Sequence, residues 1–372
     1  MVCTGRIWQS AMLTVREAHA GWRTVDIDCQ DSLPVSLAFT GDSKRIVSGE
    51  RCSQSYYPGV RLRQYQVDEN LDKNTKPPVD SGTIAIKDSI DCAVVSMDGQ
   101  WIVSITGTKV MVSNTTTKEV VEVDEHTSGV PVHAIDLSPD STRFASGSED
   151  KTVRVFTINT RKTVMYLRHN NKVLGVKFSP NGERLAAVAS GDHVRVWDAR
   201  NGQQLFRTPS AYAPIVNPNT STQSPTCIPL GWSSDSDRVF TVTSGKIMGF
   251  VKPGADICYY EDQNKPSTMF FQESVPATDD STHFTLTTGN GKVIACAAGR
   301  SLSFWDTSSY SKIGPTINFQ DSILSIALSS DDSYLACGRD NKKITVYALR
   351  DFLTLHDILD VNHIHPCQPV PT

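Results

Sequence analysis

The sequence lacks the features that would assign it to a membrane, to the secretory pathway or to nucleic acid. No apolar run approaches the ~18 residues of a membrane span, and the first residues, Met1 to Trp8, lack the apolar core of a secretory signal. Neither charge sign dominates: 36 Lys and Arg face 40 Asp and Glu, for a net charge of −4. That balance excludes a generally basic nucleic-acid binder and an acidic disordered tail. We expect a cytoplasmic protein with neither nucleic acid nor membrane among its partners.

Paired cysteines are also lacking. The nine cysteines are scattered and odd in number, and no C-x-x-C occurs. This pattern is typical of reduced thiols in the cytosol rather than of a disulfide framework.

Catalytic motifs are absent as well. The sequence contains no P-loop, no H-E-x-x-H, no G-x-S-x-G and no G-x-G-x-x-G that opens a helix. His363, His365 and Cys367 could ligate a metal, but they stand near prolines without a fixed fourth ligand. We therefore predict no catalytic residue, no cofactor and no metal.

What the sequence does contain is a repeat of about 42 residues. An alternating apolar stretch, a polar turn with Asp or Asn and a second apolar stretch recur seven times. The gaps between the turn residues are 56, 42, 41, 54, 55 and 41 residues. These turn residues, called anchors below, are Asp42, Asp98, Asp140, Asn181, Asp235, Asn290 and Asp331.

Apolar residues flank the anchors in a fixed register. The residue four positions after the anchor is apolar in all seven units, as are most residues five and three positions before it. Those two earlier positions share one face of a strand, because strand side chains alternate. The sixth unit breaks the pattern twice, at Thr285 and Thr287. We predict that Phe144, Leu185 and Trp232 are nearly fully buried.

Two further strands follow in each unit, as in Thr152–Phe156 and Gln203–Phe206. A four-stranded unit of this length buries both faces only by stacking against copies of itself. The sequence therefore predicts an all-β fold, a seven-bladed β-propeller of four-stranded antiparallel blades.

Particular residues carry a family resemblance. Trp197-Asp198 and Trp305-Asp306 end third strands, and Glu125-His126 and Arg168-His169 precede first strands. With the stretch from Ser146 to Phe156, they resemble the WD-repeat β-propeller family over roughly residues 24–349. The stretch Phe304–Ser308 and the divergent fifth and sixth units are most similar to WD-repeat arrays of fungal proteins.

The resemblance implies a structural hydrogen-bond network of His, Ser or Thr, Asp and Trp within a blade, and no unit clearly carries all four. The third unit has Phe156 where Trp belongs, and the fourth has Ala187 where Ser belongs. We assign a structural rather than a catalytic role to the candidates, which are His126, Ser146, Asp150, His169, Asp192, Trp197, Trp305 and Asp340.

Ring closure requires one terminus to complete the last blade. We favour an N-terminal strand within Trp22–Asp28 over the alternative, Asp351–Leu355. The predicted organisation is an extension at residues 1–20, a remnant of an earlier repeat; a propeller at 21–355; and a proline-containing tail at 356–372.

Insertions indicate a binding face. The long loops that carry Tyr56, Tyr57 and Tyr212 open on one rim of the ring by the geometry of a four-stranded meander, whereas the insertion at residues 68–78 opens on the other. Exposed aromatic residues on loops over a rigid scaffold suit protein binding, although neutral drift of the loops is an equal alternative.

Two functions are open. The first is a non-catalytic, monomeric scaffold for proteins or peptides, such as the sensor part of a fungal signalling or nonself-recognition protein. The alternative is a propeller enzyme of the lactonase or hydrolase type, acting at the central channel. It is disfavoured because the candidates near first strands, His133, Lys177 and His283, have no acidic cluster beside them.

Overall fold

The fold is built from β-strands. A computed structural model describes residues 23–29, 32–52, 60–67, 80–86, 90–123, 126–190, 194–207, 227–243, 246–251, 268–270 and 284–349. Its regular elements within these ranges are strands, with no helix among them. No helix in the described ranges is long and apolar enough to cross a membrane.

The strands in chain order are β1 (Thr24–Asp28), β2 (Ser32–Phe39), β3 (Arg45–Cys52), β4 (Val60–Gln66), β5 (Asp80–Ile86), β6 (Cys92–Val95), β7 (Trp101–Thr106), β8 (Lys109–Asn114), β9 (Val120–Val123), β10 (Val132–Leu137), β11 (Arg143–Ser148), β12 (Thr152–Thr157), β13 (Thr163–Arg168), β14 (Val173–Phe178), β15 (Arg184–Ala189), β16 (Val194–Asp198), β17 (Gln204–Arg207), β18 (Leu230–Trp232), β19 (Arg238–Thr243), β20 (Lys246–Val251), β21 (Thr268–Phe270), β22 (Phe284–Thr288), β23 (Val293–Ala298), β24 (Ser301–Asp306), β25 (Lys312–Asn318), β26 (Ile323–Leu328), β27 (Tyr334–Arg339) and β28 (Lys343–Ala348).

The strands pair as antiparallel four-stranded meanders. Sheets 1 to 6 comprise β2–β5, β6–β9, β10–β13, β14–β17, β18–β21 and β22–β25, and sheet 7 has the order β1-β28-β27-β26. The first strand of each sheet contacts the first strands of the sheets before and after it, and β26 also contacts β2. The sheets are therefore arranged around an axis lined by their first strands, which is the architecture of a β-propeller.

The N-terminal strand completes the last sheet. Strand β1 pairs antiparallel with β28, from Thr24 opposite Tyr347 to Asp28 opposite Lys343. This confirms the predicted closing strand. The rival segment, 351–355, lies outside the described residues, as do the predicted extension at 1–20 and the tail at 356–372.

The core lies between the sheets. The residue four positions after the anchor is 0–1% exposed in all seven units: Ile46, Ile102, Phe144, Leu185, Val239, Ile294 and Leu335. Trp232 is 1% exposed, so the three burial predictions are confirmed. Sheets 3 and 4 share one such apolar layer, in which Leu185 and Trp197 pack with Val153 and Leu167.

Sheet 6 differs from the predicted register by one residue. In the other units, the residue three positions before the anchor pairs with the residue four after it, as Leu137 does with Phe144. In sheet 6, Ile294 instead pairs with Thr288. The shift places Leu286, 9% exposed, opposite Cys296, where Thr285 was expected. A one-residue slip moves every side chain to the other face, so the shift returns an apolar residue to the core.

Candidate functional site

One complete chain of polar side chains lies in sheet 3. His126 Nε2 is 2.6 Å from Ser146 Oγ, and His126 Nδ1 is 2.9 Å from Asp150 Oδ2. Asp150 also accepts hydrogen bonds from the Thr152 hydroxyl, at 2.6 Å, and from the Thr127 N–H, at 3.2 Å. The structure therefore brings together three of the residues that the sequence predicts as a network.

This order of groups is also that of a Ser-His-Asp hydrolase triad, in which histidine removes the serine proton. Burial separates the two interpretations. Ser146 is 0% exposed and His126 is 8% exposed. A nucleophile must reach a substrate carbonyl, and Ser146 stands inside the sheet, where Phe144 and Phe156 stack with ring centroids 4.7 Å apart. The three side chains satisfy one another instead, as buried polar groups must.

The electrostatics of the network suit a neutral imidazole. Burial lowers the pKa of His126, although Asp150 opposes this. Burial alone would raise the pKa of Asp150, but hydrogen bonds from Thr152 and His126 outweigh it and hold the pKa below its usual value. A charged carboxylate thus accepts hydrogen bonds from a neutral histidine and a hydroxyl, which fixes the turn between β11 and β12.

The remaining predicted network residues are described only in part. The His169 and Trp197 rings meet edge to face, 5.0 Å between centroids, while Asp192 lies outside the described residues. Trp305 is fully buried, and its Nε1 has no hydrogen-bond partner within the described ranges. Asp340 is exposed, and its carboxylate makes no hydrogen bond to any residue that the structure describes. The structure therefore leaves Asp340 outside a buried network, because its carboxylate stays in solvent.

A second polar motif recurs in the turns and is absent from the sequence-based prediction. In sheet 3, Ser138 Oγ donates to Asp140, at 2.5 Å, and accepts from the Arg143 N–H, at 2.9 Å. The same two bonds close the turn in six units, through Thr40, Ser96, Ser138, Ser179, Ser233 and Ser329. In the sequence, this motif is marked by a Ser or Thr two residues before the anchor. Local hydrogen bonds from such hydroxyl groups favour turns.

Arginines three positions after the anchor tie neighbouring sheets together at the same end. Arg143 donates to the Ala199 carbonyl of sheet 4. Arg184 donates to the carbonyl of Ser236, at 2.5 Å, in sheet 5. Arg238 then reaches the Thr307 carbonyl of sheet 6, at 2.7 Å. The three guanidinium groups thus link neighbouring sheets by hydrogen bonds at this end of the ring.

Two of the candidate side chains near first strands, His133 and Lys177, have an acidic partner. His133 Nε2 lies 2.9 Å from Glu149 Oε1, which also accepts from Lys172, at 3.3 Å. Lys177 Nζ lies 2.7 Å from Asp136 Oδ1. Each has a single carboxylate beside it rather than an acidic cluster, and the sequence did not indicate these carboxylates because they come from a loop and from the neighbouring sheet.

Lys177 of sheet 4 reaches Asp136 of sheet 3, and Lys172, just before β14 of sheet 4, reaches Glu149 of sheet 3, whereas His133 and Glu149 both belong to sheet 3. The other oxygen of Asp136 accepts from the Phe178 N–H, at 2.7 Å, and Asp136 is 5% exposed. Hydrogen bonding from His133, with Lys172 adding to it, holds the pKa of Glu149 below its usual value. His283 lies outside the described residues.

The predicted protein-binding residues Tyr56, Tyr57 and Tyr212 lie outside the described residues. Their flanking strands are described: β3 ends at Cys52, and β4 begins at Val60. Cys52 pairs with Ser32, the first residue of β2. The chain thus leaves β3 at the end of the sheet where its first strand begins.

Comparison with known proteins identifies WD40 repeats in this chain. The family described as "WD domain, G-beta repeat" matches residues 117–157, 161–198 and 314–347. The first two matches cover the strands of sheet 3 and the first three strands of sheet 4, which contain the His126 network and Trp197. The WD-repeat resemblance is thereby confirmed.

Several proteins are similar in sequence to part of this chain. Small ribosomal subunit protein RACK1 of Drosophila melanogaster is 29% identical over 110 residues, 29% of this chain and 33% of the relative. MST50-interacting protein 11 of Pyricularia oryzae is 27% identical over 109 residues, with the same two shares. COMPASS component SWD3 of Saccharomyces cerevisiae is 24% identical over 125 residues, 34% of this chain and 39% of the relative. The alignments span about a third of the length of these relatives.

Proposed function

We propose that this chain is a non-catalytic scaffold for protein–protein contacts, built as a closed seven-bladed propeller that acts as a cytoplasmic monomer. One observation carries the proposal. The His126–Ser146–Asp150 chain, which has the connectivity of a hydrolase triad, is sealed inside a sheet and used to hold it. Chemistry at that position has no access to substrate, whereas the rim and outer edges remain available for partners.

The closed ring is supported by bonds between its last and first sheets. Ser325 Oγ donates to the Pro34 carbonyl at 2.9 Å, and Ser330 Oγ donates to the Gly41 carbonyl at 2.7 Å. A ring closed in this way takes the outer strand of its last sheet, β1, from the beginning of the described chain. It offers a rigid platform on which loops can vary.

For the binding face, we propose the rim that carries Tyr56, Tyr57 and Tyr212. The support is the meander geometry: the connection from a second to a third strand and the connection into a first strand lie at one end of a sheet. Tyrosine offers a large contact area and has few rotatable bonds, so little conformational entropy is lost when it is ordered in an interface. Such residues therefore often contribute much of the binding free energy.

A role in a fungal signalling or nonself-recognition protein is a finer part of the same proposal. Its support is the similarity to MST50-interacting protein 11 of a fungus, a protein that its own name describes as an interaction partner. We propose proteins or peptides, rather than nucleic acid, as the ligands of this chain, because its charge is balanced.

Affinity capture from native extract, followed by mass spectrometry, tests the proposal. A captured partner is then purified, and its affinity is measured for the unaltered chain and for Tyr56→Ala/Tyr57→Ala/Tyr212→Ala. We expect the triple variant to bind at least ~10-fold more weakly, a loss of about 1.4 kcal/mol. Leu205→Ala, at a 39% exposed position on β17, is the control.

Unchanged binding by the triple variant would move the interface to the opposite face, around residues 68–78. Turnover of a lactone or ester by the purified chain would overturn the scaffold and support the hydrolase alternative.

A further inference from the structure

Strand β13, the outer strand of sheet 3, has an exposed apolar face. Val164 is 56% exposed and Tyr166 is 44% exposed, whereas Leu167 between Tyr166 and Arg168 is buried. Met165 and Leu167 pack into the apolar layer shared with sheet 4. Because strand side chains alternate, Val164, Tyr166 and Arg168 point the other way, into solvent.

Two guanidinium groups lie against the ring of Tyr166. Arg154 Cζ is 5.1 Å from the ring centroid, and Arg168 Cζ is 5.4 Å from it. Arg154 stands directly opposite Tyr166 in the register of β12 and β13. In the ranges that the structure describes, no carboxylate lies within ion-pair distance of Arg168. The exposed aromatic ring therefore lies between two guanidinium groups, of which that of Arg168 belongs to an exposed residue.

The strand also ends its sheet. In the order β10-β11-β12-β13, the outer edge of β13 has no strand beside it among the described strands. An open edge presents backbone N–H and C=O groups that can pair with an added strand. Tyr and Arg are the residue types that dominate binding energy at interfaces.

We propose that the β13 patch, formed by Arg154, Val164, Tyr166 and Arg168, binds an extended acidic segment of a partner protein. The segment lies along the outer edge of β13 and pairs with its backbone. Its carboxylates accept hydrogen bonds from the exposed Arg168 guanidinium, and an apolar side chain covers Val164. The proposal rests on the scaffold function and adds the chemistry of the partner.

The probe is a fluorescein-labelled peptide of alternating Glu and Val, compared by fluorescence anisotropy with one of alternating Lys and Val. Both have the same strand propensity, so only the charge differs. We expect the acidic peptide to bind at least ~10-fold tighter than the basic one. Its affinity should fall at high salt, because exposed charges are screened. Equal binding of the two peptides would overturn the proposal.

A matched pair of variants locates the site. Tyr166→Ala/Arg168→Glu is expected to weaken binding of the acidic peptide at least ~10-fold. Leu205→Ala/Arg207→Glu also truncates an exposed side chain and makes the same change of charge on β17, the outer strand of sheet 4. It should retain the affinity of the unaltered chain within about twofold. Equal losses in both variants would mean nonspecific attraction and would contradict the β13 patch.

Circular dichroism shows whether each variant is folded. If the double variant on β13 is unfolded, the single change Arg168→Gln at an exposed position replaces it. This variant must still bind the acidic peptide more weakly than the unaltered chain does. A captured partner whose affinity is unaffected by the β13 changes overturns the patch and leaves the scaffold function intact. If the acidic peptide binds specifically but the extract yields no protein partner, the β13 patch stands and the scaffold function is contradicted.

Discussion

Two adjacent carboxyl groups in the turn of sheet 7 lie in opposite electrostatic environments. Burial raises the pKa of Asp332 to about 6, although its carboxylate accepts the Asn290 N–H at 3.0 Å. Asp331 is held below its usual pKa: burial alone would raise it, but hydrogen bonds from the Ser329 hydroxyl and the Ser333 backbone outweigh that. The two neighbours therefore contribute to stability with opposite dependence on pH.

For Asp332, the folded state favours the protonated form. The stability that the protonated Asp332 carboxyl contributes is fully present below the ordinary pKa of 3.8 and is lost as the pH rises through about 6. Asp332→Asn stays neutral and tolerates the left-handed φ of 56° at this position. As the pH rises from acidic to neutral, we expect the free energy of unfolding of the variant to increase by about 1–2 kcal/mol relative to that of the unaltered chain. Urea unfolding across that range measures the difference.

Asp331→Asn is the matched control. A depressed folded pKa contributes stability above the unfolded pKa and loses it as the pH falls. This variant should therefore be less stable at neutral pH, with the difference vanishing in acid. A gain of stability at neutral pH by both variants, or by neither, would contradict the assignment.

At the scale of the strand, an unbroken apolar register determines packing. Leu185 in β15 is 0% exposed and pairs with Trp197 across the sheet. Leu185→Ala leaves a cavity in the layer between sheets 3 and 4. We expect the free energy of unfolding to fall by about 2–5 kcal/mol, measured by urea denaturation.

Leu205→Ala on the exposed β17 strand serves for comparison and should change stability by no more than about 0.5 kcal/mol. A loss below about 1 kcal/mol for Leu185→Ala would mean that the site collapses around the missing atoms, or that the strand faces the other way.

Turns set the limits of each strand. In six units the hydroxyl–anchor pair closes a turn that spans the same number of residues. In sheet 6, Gly289 stands one residue before the anchor, and a Cβ there would clash with Asp332 Oδ1 and the Ser329 carbonyl. The shortened turn explains why the register slips by one residue in this sheet alone.

At the scale of the whole molecule, closure depends on β1. Ile27 is 2% exposed and pairs with Ile344. Asp26 accepts from the Thr345 hydroxyl, at 2.7 Å, and Arg339 donates to the same hydroxyl, at 2.5 Å. The chain ends are therefore joined by an apolar contact on one face of the strand and a polar chain on the other.

Ile27→Asp places a charge in that apolar contact, where burying it is unfavourable. We expect amide hydrogen exchange in β1 and β28 to accelerate well ahead of exchange in β14, β15 and β16, because the ring opens at its closure. Hydrogen exchange followed by mass spectrometry measures this, with Asp28→Ser, at an exposed position of the same strand, as the control. Equal acceleration in all sheets would show that the ring opens as one cooperative unit.

Much of the fold could be predicted because it is local. The anchors and their apolar flanks repeat within about 42 residues, so the strands and most of the buried positions follow from spacing. The His126 network could be predicted for the same reason, since its members lie within one sheet. The partners of His133 and Lys177 could not, because spacing does not show which carboxylates a loop or a neighbouring sheet brings close.

By itself, the sequence determined the all-β architecture, the buried face of the strands outside sheet 6 and the resemblance to WD repeats, since these depend on alternation and on repeated turn chemistry. Only the tertiary structure decided the rest. It shifted the register of sheet 6, since burying Leu286 outweighs keeping a common turn length. It joined sheets 3 and 4 through Asp136 and Lys177. It also left Val164 and Tyr166 exposed on β13, because the outermost strand of a wedge-shaped sheet has a neighbour to pack against on only one face.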